Sequence, residues 1–200
     1  VANLMALFPL SRMPAAQVGG GKSVWRGMGE GIRFFLKEPD IRAVLLLATL
    51  ANLLVFPLNF ALMPVFARDV LGVGVGGLGV LTAAVAAGAL VGNIALASLS
   101  RPRHRGRILV VSFTVWPVLL VAFALSGWYP VSLGVLFVAG ILQDVAMVSS
   151  ATLLLTSVSG EMRGRVMGVR GLAVAALPVG NLMAGAITER SGAPFALVLL

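Results

Sequence analysis

The chain has 200 residues, of which 59% are hydrophobic and 11% charged, and its mean hydropathy is +1.03. Ordinary soluble domains carry about 25% charged residues, so this composition excludes a soluble globular domain and predicts an all-α membrane protein, a polytopic helical bundle. The chain contains no cysteine, which excludes disulfide bonds, a thiolate nucleophile and a cysteine-ligated metal site.

The first 42 residues are predicted to precede the main transmembrane bundle. Residues 1–10 have the composition of the end of a preceding transmembrane helix, and residues 11–42 form a cytoplasmic linker. Apolar and charged residues recur at helical spacing over 24–37, which predicts an amphipathic helix that lies in the membrane interface or packs on protein. Pro39 ends that helix, because proline disfavours helical geometry in the residue before it.

Three long uncharged runs follow, over residues 43–67, 70–100 and 108–143. Each exceeds the roughly 20 residues that a spanning helix needs, and a Ser-Gly-Trp-Tyr-Pro cluster at 126–130 divides the third run. The C-terminal transmembrane bundle is therefore predicted over residues 43–200. Its spans are expected near 43–66, 77–99, 108–126, 131–158 and 166–188, with the start of a last span near 194–200.

The basic residues are concentrated in alternate connections between these spans. Segments 12–42, 101–107 and 163–170 hold six, four and three of the fifteen Lys and Arg residues, whereas the other connections hold only Arg68 and Arg190. This asymmetry follows the positive-inside rule and places the three basic segments in the cytoplasm. The net charge of +8 therefore reflects topology, and it predicts a multi-pass membrane protein with no nucleic-acid partner.

Small residues recur at intervals of four in two of the predicted spans. Such spacing lets two helix backbones approach closely in lipid, so we expect these residues to serve helix packing rather than substrate contact. The two series are Ala84, Gly88 and Gly92, and Ala176, Gly180 and Ala184.

Asp144 is the first candidate functional residue, because it lies inside the predicted span 131–158 and the nearest charged residues in the sequence are Arg107 and Glu161. A charge near the bilayer centre costs about 3 kcal/mol or more. Asp144 is therefore either a proton-exchanging or cation-binding carboxylate, or a structural partner in a hydrogen bond or ion pair. The adjacent Gln143 can offer amide hydrogen bonds to a polar substrate or to another helix.

Asn52 and Asn59 are further candidates on the first predicted span. They are seven residues apart and share one helix face, and Pro57 and Pro64 would bend the helix and free backbone carbonyl groups there. A polar, kinked helix suits the wall or gate of a substrate cavity. Kinked packing without substrate contact would produce the same pattern.

A resemblance to a known family rests mainly on residues 161–168, Glu-Met-Arg-Gly-Arg-Val-Met-Gly. This stretch is similar to the R-G-R-V-M-G segment of a bacterial exporter branch of the major facilitator superfamily that includes enterobactin exporter-like proteins. The resemblance covers nearly the whole chain. It implies the C-terminal six-helix half of a twelve-helix fold, truncated at both ends, in which the five complete spans are helices seven to eleven.

The same resemblance implies gating or loop roles for four arginines. Arg163 and Arg165 belong to the segment just quoted. Arg105 and Arg107 keep the basic end of the superfamily's G-x-x-x-D-R-x-G-R-R signature, although no Asp precedes them in the loop 101–107.

The resulting prediction is a secondary active transporter, a proton-coupled exporter or antiporter of a small organic solute or drug that works by alternating access. It is not expected to be an enzyme or to bind a cofactor or metal. The expected partners are the lipid bilayer, a small-molecule substrate and the N-terminal half of the same transporter.

Two other readings stay open at this point. One is the membrane permease subunit of a multi-component complex driven by a partner ATPase. The chain itself has no G-x-x-x-x-G-K-[ST] phosphate loop, so in that case the partner would supply the nucleotide site. The other is an intramembrane enzyme. Against it, the sequence has no His, Cys or second acidic residue near Asp144 to complete an acid–base or metal site.

Overall fold

The computed structural model describes residues 38–57, 63–98 and 105–191. The predicted preceding helix 1–10, nearly all of the linker 11–42, Asn59 and the last span near 194–200 lie outside these residues. Within the described ranges the chain folds into α-helices and two π-helical segments, without a strand. The elements are α1 (Pro39–Leu50) continued by the π-helical segment Ala51–Val55, α2 (Met63–Val65) continued by the π-helical segment Phe66–Val70, α3 (Val75–Ser98), α4 (Arg105–Leu125), α5 (Tyr129–Thr156), α6 (Gly160–Val174) and α7 (Ala176–Ser191).

Four of the described stretches are long and apolar enough to cross a membrane, and a shorter apolar helix covers Ile41–Val55. Large apolar side chains such as Leu90, Ile94 and Leu182 are more than 60% exposed on these helices, as a lipid-facing surface requires. The all-α membrane bundle predicted from the composition is therefore confirmed. The four stretches are Val75–Ser98, Gly106–Leu125, Tyr129–Thr156 and Met162–Ile187.

Local sequence explains how the first helix begins and why its geometry changes. Proline occupies the first position of α1, where its missing N–H leaves no hydrogen bond unmade, and Glu38 precedes it in an extended conformation. Pro57 has no N–H for the carbonyl group of Leu53, and the turn before it is π-helical, with the N–H of Phe56 donating to the carbonyl oxygen of Ala51. The described part of the first helix therefore ends in a segment with irregular hydrogen bonding.

Helix α5 is the centre of the bundle, and it packs most extensively against α3 and α4. The glycines at these contacts leave no room for a side chain. A Cβ atom on Gly88 would collide with the backbone of Phe137, and one on Gly92 would lie 2.8 Å from the carbonyl oxygen of Ile141. Gly140 of α5 meets the backbone of Val85 in the same way. These three helices therefore form one closely packed block.

The second series of small residues joins α7 to the first helix. Gly180 lies against the carbonyl oxygen of Leu53 and the ring of Pro57, and Ala184 is fully buried. The carbonyl group that Pro57 leaves without its usual helical partner is thus the point of closest approach between the two elements. Both series of small residues act in helix packing, as their spacing predicted.

Gly88→Ala is expected to lower the free energy of unfolding by about 1–3 kcal/mol, because the added methyl group meets backbone atoms that cannot rotate away. Gly79→Ala is the matched control on the same helix, since a Cβ atom at Gly79 would have no packing neighbour within 4 Å. Thermal unfolding of the purified protein in detergent measures both. Equal melting temperatures for the two variants would contradict the packing described for α3 and α5.

Candidate functional site

A cavity of about 310 Å³ lies between the first helix, α5, α6 and the beginning of α7. Its walls are apolar except for two side chains, Asn52 and Arg170. The other lining residues are Ala48, Phe56, Met147, Ala173, Val174 and Leu177. Phe56 also packs edge-on against the fully buried Trp116 of α4, with ring centroids 5.2 Å apart. The aromatic side of the cavity is therefore in contact with the block formed by α3, α4 and α5.

Two further cavities are somewhat larger. One of about 400 Å³ lies between α3, α4 and α5 and contains Asn93, Ser149 and Thr152, and the other, of about 350 Å³, is almost entirely apolar. Neither is lined by a charged side chain. Because the cavity at Asn52 and Arg170 combines a cation, an amide and aromatic and aliphatic surface, it is the best candidate site for an organic solute.

Asn52 is buried at the beginning of the π-helical segment, and its Nδ2 group donates a hydrogen bond of 2.7 Å to the carbonyl oxygen of Ala48. The amide is therefore held in a fixed orientation at the cavity wall. One N–H and the amide oxygen remain available to other partners. The prediction that Asn52 lies on a cavity wall agrees with this position, whereas its contact with a substrate stays a prediction.

Arg170 is the functional candidate that the sequence reasoning missed. It was counted among the cytoplasmic charges of segment 163–170, although it also lies inside the predicted span 166–188. In the structure it is half-buried on α6, it lines the cavity, and its Nε atom is buried without a hydrogen-bond partner. Seven residues separate it from the exposed Arg163, so it lies about 10 Å further along the helix.

Asp144 is half-buried near the middle of α5, and its Oδ2 atom is buried without a hydrogen-bond partner. Met147, one turn further along, lines the cavity, and residues three apart share a helix face. Asp144 is therefore a neighbour of the cavity without lining it.

Asp144 and Arg170 occupy similar depths in their helices. At about 1.5 Å per residue, Asp144 lies about 18 Å from the end of α5 at Thr156 and Arg170 about 15 Å from the beginning of α6 at Gly160. These ends are joined by the short connection 157–159. Among the described residues neither side chain forms an ion pair with the other, and the pair at Arg68 and Asp69 is exposed at the surface.

The remaining predicted residues are spread over the bundle. Gln143 is half-buried and interacts with another residue, whereas Asn59 lies outside the described residues. Arg163 is exposed, and its Nε group donates to the carbonyl oxygen of Leu155 at 3.1 Å, which links α6 to the end of α5. Arg165 is exposed and donates to the sulfur of Met162 at 3.4 Å.

Of the two arginines of the loop signature, Arg107 is not among the residues that line the cavity. Arg107 is exposed near the beginning of α4, and Arg105 begins that helix with a side chain outside the described atoms. A search of the described residues also finds no group of three His, Cys, Asp or Glu side chains that could hold a metal ion.

Residues 1–197 match the sequence profile of the Major Facilitator Superfamily. The chain belongs to this superfamily. A curated relative, the multidrug efflux pump Tap of Mycolicibacterium fortuitum, is 27% identical over 172 residues, which are 86% of this chain and 42% of that protein. The chain thus spans less than half the length of this relative. No solved structure gives a significant match.

Membership of this superfamily, together with the four apolar stretches long enough to cross a membrane, supports a multi-pass bacterial membrane protein. The narrower resemblance to enterobactin exporter-like proteins stays a prediction.

Asn52→Ala is expected to destabilise the protein by about 1 kcal/mol, because it removes a buried hydrogen bond at the junction between α1 and the π-helical segment. Thr49→Ala is the control one turn earlier, where the hydroxyl group bonds to the carbonyl oxygen of Leu45 but is less deeply buried. Melting temperatures in detergent compare the two variants. A larger loss for Thr49→Ala would contradict the anchoring role of Asn52.

Proposed function

We propose that this chain forms part of a secondary active transporter that exports a small organic solute across the bacterial inner membrane in exchange for protons. The observation that carries the proposal is the buried carboxylate oxygen of Asp144, which lacks a hydrogen-bond partner and lies one helical turn from a cavity-lining residue. Superfamily membership supports transport, and the similarity to a protein named as a multidrug efflux pump supports export of organic molecules.

The chemistry of Asp144 follows from its surroundings. An ionised carboxylate in an apolar interior needs a compensating proton, cation or hydrogen-bond donor. If a proton and the cationic group of a solute compete for the same carboxylate, then binding of one releases the other. Mutually exclusive binding at one site makes proton entry drive solute exit, because each ligand shifts the equilibrium that the other depends on.

Alternating access is the proposed means of moving the solute. The chain would supply the C-terminal six-helix half, and an N-terminal half of the same transporter would close the opposite side of the cavity. The matched region covers 42% of the relative's length, which fits one half of such a protein. Residues 11–42 would then connect the halves, and spans near 43–66 to 166–188 would surround the pathway.

The packing of the bundle suggests which parts would move. The glycine contacts join α3 and α5 backbone to backbone, so this block is suited to move as a unit. The first helix, in contrast, contains the π-helical segment Ala51–Val55 followed by Pro57, and such irregular turns are where helices bend. We assign the bending to the cavity wall that holds Asn52.

Arg163 would contribute to gating at the cytoplasmic end. Its hydrogen bond to Leu155 ties the beginning of α6 to the end of α5. A change in the relative position of these helices would break this bond. Arg165, Arg105 and Arg107 would orient the basic ends of the helices toward the cytoplasm.

Asp144→Asn is expected to abolish proton-driven transport while leaving the protein folded, because asparagine has nearly the same shape but does not exchange protons. The measurement is uptake of rhodamine 123 into inside-out vesicles with an acidic interior that contain the complete protein. Asp69→Asn is the matched control, since Asp69 is an exposed aspartate paired only with the exposed Arg68. Equal amounts of each variant in the membrane must be confirmed by immunoblotting. Gradient-dependent uptake by Asp144→Asn at the wild-type rate would remove Asp144 from the coupling mechanism.

A further inference from the structure

We infer that Arg170 and Asn52 form a carboxylate-binding subsite in the cavity, and that the exported solute is an amphipathic molecule that carries a carboxylate group. The inference rests on the proposed function, because it names the chemical class of substrate for the same cavity. It arises from Arg170, a side chain that the sequence analysis did not single out as a site residue.

Arg170 supplies the charge. A guanidinium group stays protonated at any physiological pH and carries five N–H donors in a planar fork. In the structure its Nε atom is buried without an acceptor, and Arg170 forms no ion pair with a described residue. A half-buried guanidinium whose Nε–H group lacks an acceptor is stabilised by an acceptor that enters beside it. The cavity beside Arg170 is the space that such an acceptor would enter.

Asn52 supplies a second polar contact from a different helix. Its Nδ2 group is anchored on the carbonyl oxygen of Ala48 at 2.7 Å, which fixes the amide at the wall of the same cavity as Arg170. The remaining N–H adds a donor to those of the guanidinium fork. A planar carboxylate matches the two parallel N–H groups that a guanidinium offers.

The rest of the cavity selects an apolar body for the ligand. Phe56, Met147 and Leu177 line it, and its volume of about 310 Å³ is close to the lower limit for sites that hold drug-sized molecules. An inorganic anion would leave this apolar surface uncovered. An organic acid with an aromatic or aliphatic frame would cover it.

Depth favours a solute over a lipid headgroup as the source of the acidic group. Arg170 lies about 10 Å further along α6 than the exposed Arg163, whereas headgroup phosphates stay near the ends of the spanning helices. Asp144 at a similar depth adds a negative charge nearby. A solute that also carries a cationic group is therefore a better ligand than a simple anion.

Rhodamine 110 and its methyl ester, rhodamine 123, test the subsite directly, because they share one cationic ring system and differ only in a free carboxylate. Fluorescence anisotropy measures the binding of each dye to the complete purified protein in phosphatidylcholine nanodiscs. The wild type is expected to bind rhodamine 110 about tenfold or more tightly than rhodamine 123, as a charge-assisted hydrogen bond would give. Arg170→Gln is expected to bind the two dyes equally.

Two further variants keep the test decisive. Arg42→Gln is the matched control, since Arg42 is an exposed arginine on α1, and it is expected to keep the full preference. Arg170→Lys keeps the charge without the planar fork and is expected to show a reduced preference, which decides the matter if the glutamine variant does not fold. Equal binding of both dyes by the wild type, binding of neither dye, or an unchanged preference in both Arg170 variants would overturn the subsite.

The binding assay separates this inference from the proposed function. If the carboxylate preference depends on Arg170 but no proton-driven transport of either dye is found, the subsite stands and the exporter proposal fails. Repeating the titration in nanodiscs that contain phosphatidylglycerol distinguishes a lipid ligand. Loss of the preference in those nanodiscs would assign the site to a lipid phosphate and overturn the solute proposal.

Discussion

The free-energy cost of removing charged groups from water is the constraint on which the rest of this structure depends. Asp144 and Arg170 have opposite charges, lie at similar depths on consecutive helices, and each has a buried polar atom without a partner. A charge at such a position costs about 3 kcal/mol or more in a lipid environment. This cost is the reason for proposing that Asp144 and Arg170 are groups that bind ligands reversibly.

The helices that carry these two charges differ in how extensively they pack on the rest of the bundle. Glycines at 88, 92 and 140 bring α3 and α5 into backbone contact, so the helix that carries Asp144 is fixed in position. Arg170 is carried by α6, which packs less extensively on α5 than α3 and α4 do. A closely packed helix beside less extensively packed ones would allow the distance between the two charges to change without loss of the core, as the proposed alternation between two states requires.

Some of these features follow from sequence alone, and the reasons are local. The spacing of Gly88 and Gly92 dictates close helix contact, and an aspartate within a long apolar run is conspicuous on any hydropathy scale. Arg170 was missed because its charge was counted with those of Arg163 and Arg165, seven and five residues earlier. Whether an arginine near a span boundary faces water or a cavity depends on the tilt and packing of its helix, which local sequence does not determine.

The cavity itself was also beyond sequence reasoning. Asn52 was singled out with Asn59 because both lie on one helix face, yet the partner across the cavity is Arg170, more than one hundred residues later in the chain. Such a pairing depends on the contacts of the first helix with α6 and α7. Asn52 lies in the π-helical segment that precedes Pro57. The carbonyl oxygen of Leu53, which Pro57 leaves without its usual donor, lies against Gly180 of α7, and this contact between distant parts of the chain is not visible in the local sequence.

The central claim is that a solute and a proton compete for Asp144. The most direct test is to add rhodamine 123 to the complete purified protein in weakly buffered detergent solution and to record the pH change at several starting pH values. The account predicts release of protons by the wild type and by Asp69→Asn, and no release by Asp144→Asn. Proton release by Asp144→Asn equal to that of the wild type would contradict it.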